Sequence, residues 1–347
     1  MAVLVITHSD CDSGVAAVMD RIRELGGIVY RLDGDRFPMD ARLATELTRT
    51  GLSNRLVSSE GEIDLSTVDA AWFHQTAVGY CIPALDDARH RELAVATSLV
   101  TLQGILASMD VLLVDPFGHA ELKPVQLRAA QRVGLDIPRT LVTSDPDSVR
   151  RFAAEVGGRI VMKTPGTNLR MYDERGHADA QMYTQLLEPD DLAALDGLQM
   201  CPMIFQEPIE KKLELRIVVV GYEVFAAAID PTTWTGTQDG SVDWRQAHDY
   251  DYERTTYELP APIRARILAL TDTLGVNFAA IDMIVTPAGE HVFLEANPNG
   301  GGFEPLHRHG LPIANALAEL LLGTARHRSP APAHLFLPTG RTSNQAP

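Results

Sequence analysis

Thirteen positions separate Asp282 from Glu295, and the residues between them form two apolar runs broken at Pro287-Ala-Gly-Glu290, the signal of an antiparallel hairpin. Centring the turn on Ala288 and Gly289 sets Asp282 directly opposite Glu295. Side chains so placed lie about 4.5–5.5 Å apart at Cβ, where two carboxylates repel unless positive charge stands between them. Asn297, two residues further on, shares their face and adds a neutral oxygen. An all-oxygen set of Asp, Glu and Asn suits Mg²⁺, which takes one or two carboxylates and completes its shell with water and nucleotide phosphates. A solvated polar face on an edge hairpin is the other reading of the same residues.

The length of 347 residues, 45% of them hydrophobic and 22% charged, allows two or three lobes with ample core. A formal charge of -16 argues against a nucleic-acid partner, which needs a basic face, and no Lys/Arg run marks a membrane surface. A negative chain that binds anions must concentrate its few cations in one place. Cys11, Cys81 and Cys201 have neither the number for pairing nor metal-ligand spacing, as expected for a reduced, cytoplasmic setting. The apolar opening Val3-Leu-Val-Ile6 is too short for a signal or membrane segment.

A β-α-β opening is expected from the strand at 2–7, a helix reaching Leu25, Gly26-Gly27 and the strand at 28–32. Short strands follow over 41–75, then a long helix at 86–107, a strand at 111–114 and a break at Asp115-Pro116. Asp145-Pro146-Asp147 has the chemistry of a helix start. A short acidic helix is expected at 189–196, strands at 213–220 and 223–229, and helices at 262–274 and 312–322. The division is an N-terminal domain at 1–117, a central lobe at 118–196, a C-terminal lobe with the carboxylate hairpin at 197–325, and a disordered tail at 326–347.

The common nucleotide loops are missing: there is no G-x-x-x-x-G-K-[ST], and Ser-Asp-Cys-Asp-Ser-Gly, not G-x-G-x-x-G, follows the first strand. The connector at 206–209 suits adenine instead. Glu207 has a backbone carbonyl for the amino group and Ile209 a backbone N–H for a ring nitrogen, while Pro208 has no N–H to compete. Glu214 is a suitable acceptor for ribose hydroxyls, and Arg216 follows on the same strand face. Leu213-Glu-Leu-Arg-Ile217 also fits an amphipathic strand with a solvated face.

Lys163 at a strand end, the connector at 206–209, Glu214, Arg216 and the Asp282, Glu295, Asn297 set occur in the order of the ATP-grasp superfamily, which the chain resembles. The closer resemblance is to the peptide macrocyclases that mature microviridin-like graspetides. It rests on Tyr30-Arg-Leu-Asp-Gly-Asp-Arg-Phe-Pro38, Leu213-Glu-Leu-Arg-Ile217, Asp243-Trp-Arg245 and the phrases at 197–207 and 275–287, and it covers residues 1–323. It implies an α/β ATP-grasp fold with an N-terminal pre-ATP-grasp domain. It also implies a cytoplasmic, homodimeric ligase that uses ATP and Mg²⁺ to activate a side-chain carboxylate of a ribosomally made precursor peptide. A Ser/Thr hydroxyl or Lys amine of the same peptide then closes the ring.

On that resemblance Lys123 and Lys163 contact phosphates or adenine, and Arg216 and Arg245 meet the transferred phosphoryl group. Asp190 and Asp191 meet a basic residue of the peptide's leader. For Lys123 a solvated helix lysine, and for the two aspartates a solvated helix N-terminus, remain open. Another ATP-grasp carboxylate ligase, adding glutamate or joining D-alanine, is the alternative activity. The chain departs from its relatives at Trp72-Phe-His-Gln75, where they often place paired arginines, and in the glycine-rich stretch from Asn299 to His309, where His307 and His309 occupy alternate loop positions.

Overall fold

The computed structural model describes residues 1–10, 13–58, 61–74, 77–114, 119–165, 170–172, 178–181, 184–231, 254–298 and 303–328. Its first strand, β1 (Ala2–Thr7), is apolar up to its last residue and wholly buried, as a central parallel strand covered on both faces must be. Helix α1 (Ser13–Glu24) crosses over to β2 (Ile28–Asp33). Strands β3 (Arg42–Leu47), β4 (Leu52–Ser58) and β5 (Gly61–Asp64) make a separate antiparallel sheet. The chain then returns to the other side of β1 as β6 (Ala70–Phe73), followed by α2 (Ala88–Ala107) and β7 (Leu112–Val114). The resulting parallel order β2-β1-β6-β7 puts a topological switch point between β1 and β6, where the carboxyl ends of open α/β sheets form a binding crevice.

The central lobe follows with α3 (Lys123–Arg132), β8 (Thr140–Thr143), α4 (Pro146–Glu155), β9 (Ile160–Lys163), the pair β10 (Arg170–Tyr172) and β11 (Ala178–Gln181), β12 (Gln185–Leu187) and β13 (Met203–Gln206). Asp145 caps α4 as its sequence implied, accepting from the backbone N–H groups of Asp147 and Ser148. The acidic helix expected at 189–196 is instead two 3₁₀ turns, Asp191–Ala193 and Asp196–Met200. Ala194 leaves the helical region between them, and Leu195 and Leu198 turn inward to the core.

The C-terminal sheet runs β16-β15-β14-β17-β18, from β14 (Leu213–Val220), β15 (Glu223–Ile229), β16 (Arg254–Thr256), β17 (Phe278–Val285) and β18 (His291–Asn297). Helix α5 (Ala261–Leu274) precedes β17; α6 (Glu304–Arg308) and α7 (Ile313–Leu321) follow β18. On one sheet face Ile217, Ile281 and Phe293 pack with Leu127 of α3 and Leu270 of α5. On the other, Val218, Phe278 and Ala280 share a core with α7, α1 and the β1–β6 face of the N-terminal sheet. Helix α7 is apolar except for one stripe, Asn315 and Glu319, which bond each other at 2.8 Å, and its apolar side fills the space between the two sheets. The chain stays anchored to Arg328, whose guanidinium bonds Asp272 and the Gly221 carbonyl while its backbone bonds Asn277.

The hairpin differs from its expected geometry near the loop. Thr286 faces Glu290 around a three-residue loop in which Gly289 takes φ 85°, a backbone region that glycine enters without strain. The pairs nearest the loop are therefore offset by one from a turn centred on Ala288 and Gly289. A bulge between Met283 and Asp282, with Leu294 the extra residue, restores the expected opposition of Asp282 and Glu295.

Candidate active site

The register of β14 and β17 pairs Arg216 with Asp282, and that of β17 and β18 pairs Asp282 with Glu295, so cation and carboxylates form one row across three strands. Nη1 of Arg216 donates to both Asp282 oxygens at 2.8 and 2.9 Å. Nζ of Lys123 lies 3.3 Å from Glu295, and Nδ2 of Asn297 donates to Glu295 at 3.3 Å. The four charged side chains are between 9% and 17% exposed, so their mutual neutralisation is only weakly screened by water. Lys123 stands in the first turn of α3, whose Pro124 suits that position. Its amine also reaches the Thr164 carbonyl at 3.4 Å, linking the carboxylate hairpin to the segment after β9.

Gln126 holds the hairpin against α3. It is fully buried, donates to the carbonyls of Ala120 and Ala296 at 2.6 Å each, and accepts from the Ala296 N–H at 3.0 Å. Both backbone groups of the residue between Glu295 and Asn297 thus end on one side chain. No motif marks Gln126; its one signal in the sequence is a polar residue on the helical stripe that carries Lys123, Leu127 and Ala130.

The connector at 206–209 leads from β13 toward β14. Gln206 bonds Thr140 at 3.0 Å, while Glu207 accepts from the Arg139 N–H through its side chain at 2.8 Å and donates its own N–H to the Arg139 carbonyl at 3.1 Å. The Glu207 carbonyl and the Ile209 N–H make no hydrogen bond among the described residues. Pro208 lies between them, exposed. Lys163 ends β9 opposite Ile204 of β13, and Glu214 is paired with Lys211 at 2.6 Å.

The remaining candidates are more dispersed. Arg245 lies outside the described residues. Asp190 and Asp191 are exposed, and Asp191 is spent locally on the Glu188 N–H at 2.8 Å. His307 belongs to α6 and His309 to its end, where a loop was expected; Nδ1 of His307 faces the Leu311 carbonyl at 3.4 Å. Among the described residues no group of three or more His, Cys, Asp or Glu forms a metal cluster, since the Asp282, Glu295, Asn297 set contains two carboxylates and an amide. No described helix is long and apolar enough to cross a membrane.

The carboxyl edge of the N-terminal sheet is a second polar region. Asp35 accepts from the Ser9 N–H and hydroxyl, both at 2.7 Å. Burial pushes its carboxyl up, but the Ser9 bonds outweigh that and hold it below its ordinary value. Trp72 and His74, whose ring centres are 4.7 Å apart, pack on Phe303, within the glycine-rich stretch. Burial alone lowers the His74 pKa to about 3, leaving a neutral imidazole.

Comparison with known proteins bears on this arrangement. Residues 2–121 match the family described as the MvdD pre-ATP grasp domain. The macrocyclase MdnC of Microcystis aeruginosa MRC, solved with its precursor peptide MdnA, is 32% identical, with 94% of this chain and 100% of that chain covered and a TM-score of 0.81. A RiPP-associated ATP-grasp ligase of Chryseobacterium gregarium, solved with ADP and a leader and core peptide, is 30% identical over 95% of this chain and 99% of its own, with a TM-score of 0.82. A probable alpha-L-glutamate ligase of Enterobacter sp. (strain 638) is 28% identical over 236 residues, 63% of this chain and 67% of that protein.

Proposed function

We propose, since the chain belongs to the ATP-grasp ribosomal-peptide maturases, the family of the microviridin-type graspetide macrocyclases, that it closes macrocycles in a ribosomally made precursor peptide. The carrying observation is the row of Arg216, Asp282 and Glu295 with Lys123 at its end, on a chain that covers the full length of a peptide-bound macrocyclase. A peptide Asp or Glu carboxylate takes the γ-phosphoryl group of ATP, giving an acyl phosphate and ADP. A Ser/Thr hydroxyl or Lys amine of the same peptide then attacks the acyl carbon, phosphate leaves, and an ω-ester or ω-amide bond closes the ring. Each ring removes one water from the peptide's mass.

Phosphoryl transfer asks a protein mainly for positioning and charge neutralisation. Asp282, Glu295 and Asn297 fit Mg²⁺: the donors are hard oxygens, they lie on one face of the β17–β18 hairpin, and their charge is enough to attract a cation. Bound there, Mg²⁺ supplies neutralisation of the nucleotide phosphates. Arg216 and Lys123, held within reach of the carboxylates, offset the phosphoryl charge, with Lys163 and Arg245 assigned to the same task. Glu207 and Ile209 would hold adenine through their backbone groups on either side of Pro208, and Glu214 the ribose. Asp190 and Asp191, both exposed, would meet a basic leader residue, Asp191 at the cost of its bond to the Glu188 N–H.

The decisive test is incubation with ATP, Mg²⁺ and a precursor peptide encoded beside the gene, followed by mass spectrometry. Loss of whole waters with stoichiometric ADP supports ring closure. A mass gain of whole glutamate residues would favour the glutamate-ligase alternative, which the likeness to the Enterobacter protein keeps in view. A homodimer is also proposed, built on α2. Its exposed face from Leu93 to Ala107 has no charged side chain, and Leu93 and Val100 are 65% and 66% exposed. Val100→Lys should convert a dimer to a monomer in light scattering; a monomeric parent protein would refute it.

A further inference from the structure

Near the switch point of the N-terminal sheet, three polar atoms have no hydrogen-bond partner among the described residues: Oγ1 of Thr7, Nε1 of Trp72 and Nδ1 of His74. Their residues are between 0% and 1% exposed, so bulk water does not satisfy them. Buried polar groups in folded proteins are nearly always paired, because an unmade bond costs more than a made one gains. Three orphans in one place therefore call for a common partner.

The register brings them together. Val5 pairs with Trp72 and Ile6 with Phe73 in parallel, and the His74 N–H donates to the Ile6 carbonyl at 2.8 Å. Continuing one residue sets Thr7 beside His74, and alternation puts Thr7, Trp72 and His74 on one face of the sheet. That face carries Phe303, whose ring centre is 5.5 Å from His74 and 6.1 Å from Trp72. The three atoms also complement one another. The indole N–H only donates, the threonine hydroxyl donates or accepts, and Nδ1 accepts when the imidazole proton is on Nε2. Together they match an oxygen that accepts twice and donates once.

We propose that Thr7, Trp72 and His74 form one binding site for a neutral hydroxyl group, supplied either by a water molecule or by a Ser/Thr side chain of the peptide. The peptide source rests on the macrocyclase reading; the water source does not. No member of the site is charged near neutral pH, so an ion would lose its hydration with nothing to replace it. The site lies between the carboxyl ends of β1 and β6 and Phe303, whose ring centre is also 6.0 Å from that of Phe278 on β17.

Thr7→Val, which removes the hydroxyl and keeps the shape, tests the site in the full-length enzyme. An orphan hydroxyl destabilises the protein, so its removal would raise Tm. A hydroxyl bound to water stabilises it, and its removal should lower Tm by about 2–4 °C. Adding His74→Phe to Thr7→Val should then cost less than His74→Phe alone, because the shared water has already been lost. If the hydroxyl comes from the peptide, Thr7→Val removes an orphan and Tm without peptide rises, while affinity for the precursor falls about tenfold, a change of about 1.4 kcal/mol. A Tm at or above the parent value together with unchanged precursor affinity would overturn the proposal. The Tm measurement needs no peptide, so it stands even if no ring is ever formed.

Discussion

Asp282 stands directly opposite Glu295 because β18 has one residue more than β17 between the hairpin loop and the pair. Thr286 and Glu290 face each other next to the loop; four positions lead back to Asp282 and five lead on to Glu295. Leu294 is the extra residue, so Phe293 and Ala296 both reach the apolar layer under α3 and α5 although they are three positions apart. In a regular strand of the same length Glu295 would point into that layer.

The opposed carboxylates are each held by a cation, and that sets the outcome of removing one. Glu295→Gln should lower kcat for ring closure by about two to three decades, since neutralisation of the transferred group is lost. It should also lower Tm, because Lys123 would be left largely buried without its partner. Asp282→Asn should behave alike through Arg216. Single-turnover assays and thermal melts of the two variants check this, and undiminished turnover in EDTA would remove the metal assignment.

Gln126→Leu keeps the volume of a buried side chain and deletes three hydrogen bonds. The carbonyls of Ala120 and Ala296 and the Ala296 N–H would each be orphaned, at about 1–3 kcal/mol apiece. The expected result is a lower Tm together with a higher Mg²⁺ requirement, because Glu295 and Asn297 flank the residue set loose. A fall in Tm with an unchanged Mg²⁺ titration would make Gln126 a purely structural group.

Much of this was legible in the sequence because it depends on local pattern. The apolar run at 2–6 of the first strand, the Asp145 cap and the alternation that sets Glu214 and Arg216 apart from Leu215 all follow from period and composition. The bulge was not legible, since an extra leucine in an apolar strand leaves no mark. The offset turn and the bulge cancelled, so the pairing expected from a two-residue turn was reached by a different path. Gln126 and His74 escaped for a related reason: their roles come from tertiary burial, and polar residues in a helix or at a strand end ordinarily face water.

Arg216 gives the sharpest kinetic prediction. It is opposed to Asp282 in register and bonded to both its oxygens, so its guanidinium is fixed beside the reacting phosphate in the proposed mechanism. Arg216→Ala should lower kcat by about two to three decades with a smaller change in KM for ATP. Arg216→Lys should recover only part of the rate, since an ammonium has no planar fork with which to hold carboxylate and phosphate together. An alanine variant that forms rings at the parent rate under saturating ATP would sink the assignment.

The buried imidazole of His74 predicts how stability changes with acid. In the unfolded chain the group titrates near its ordinary 6.5, whereas burial in the native state brings it to about 3. Between those values the unfolded chain binds a proton that the native one does not, so native stability falls as pH drops. The stability tied to neutral His74 is complete above about pH 6.5 and is lost progressively toward pH 3. His74→Phe keeps an aromatic ring against Trp72 and Phe303 and removes the titration. Its Tm should therefore decline less steeply than the parent's between pH 6.5 and pH 4, whatever its absolute value at neutrality. Parallel curves for the two proteins would mean that His74 gains its proton without unfolding, and that the native environment stabilises the imidazolium.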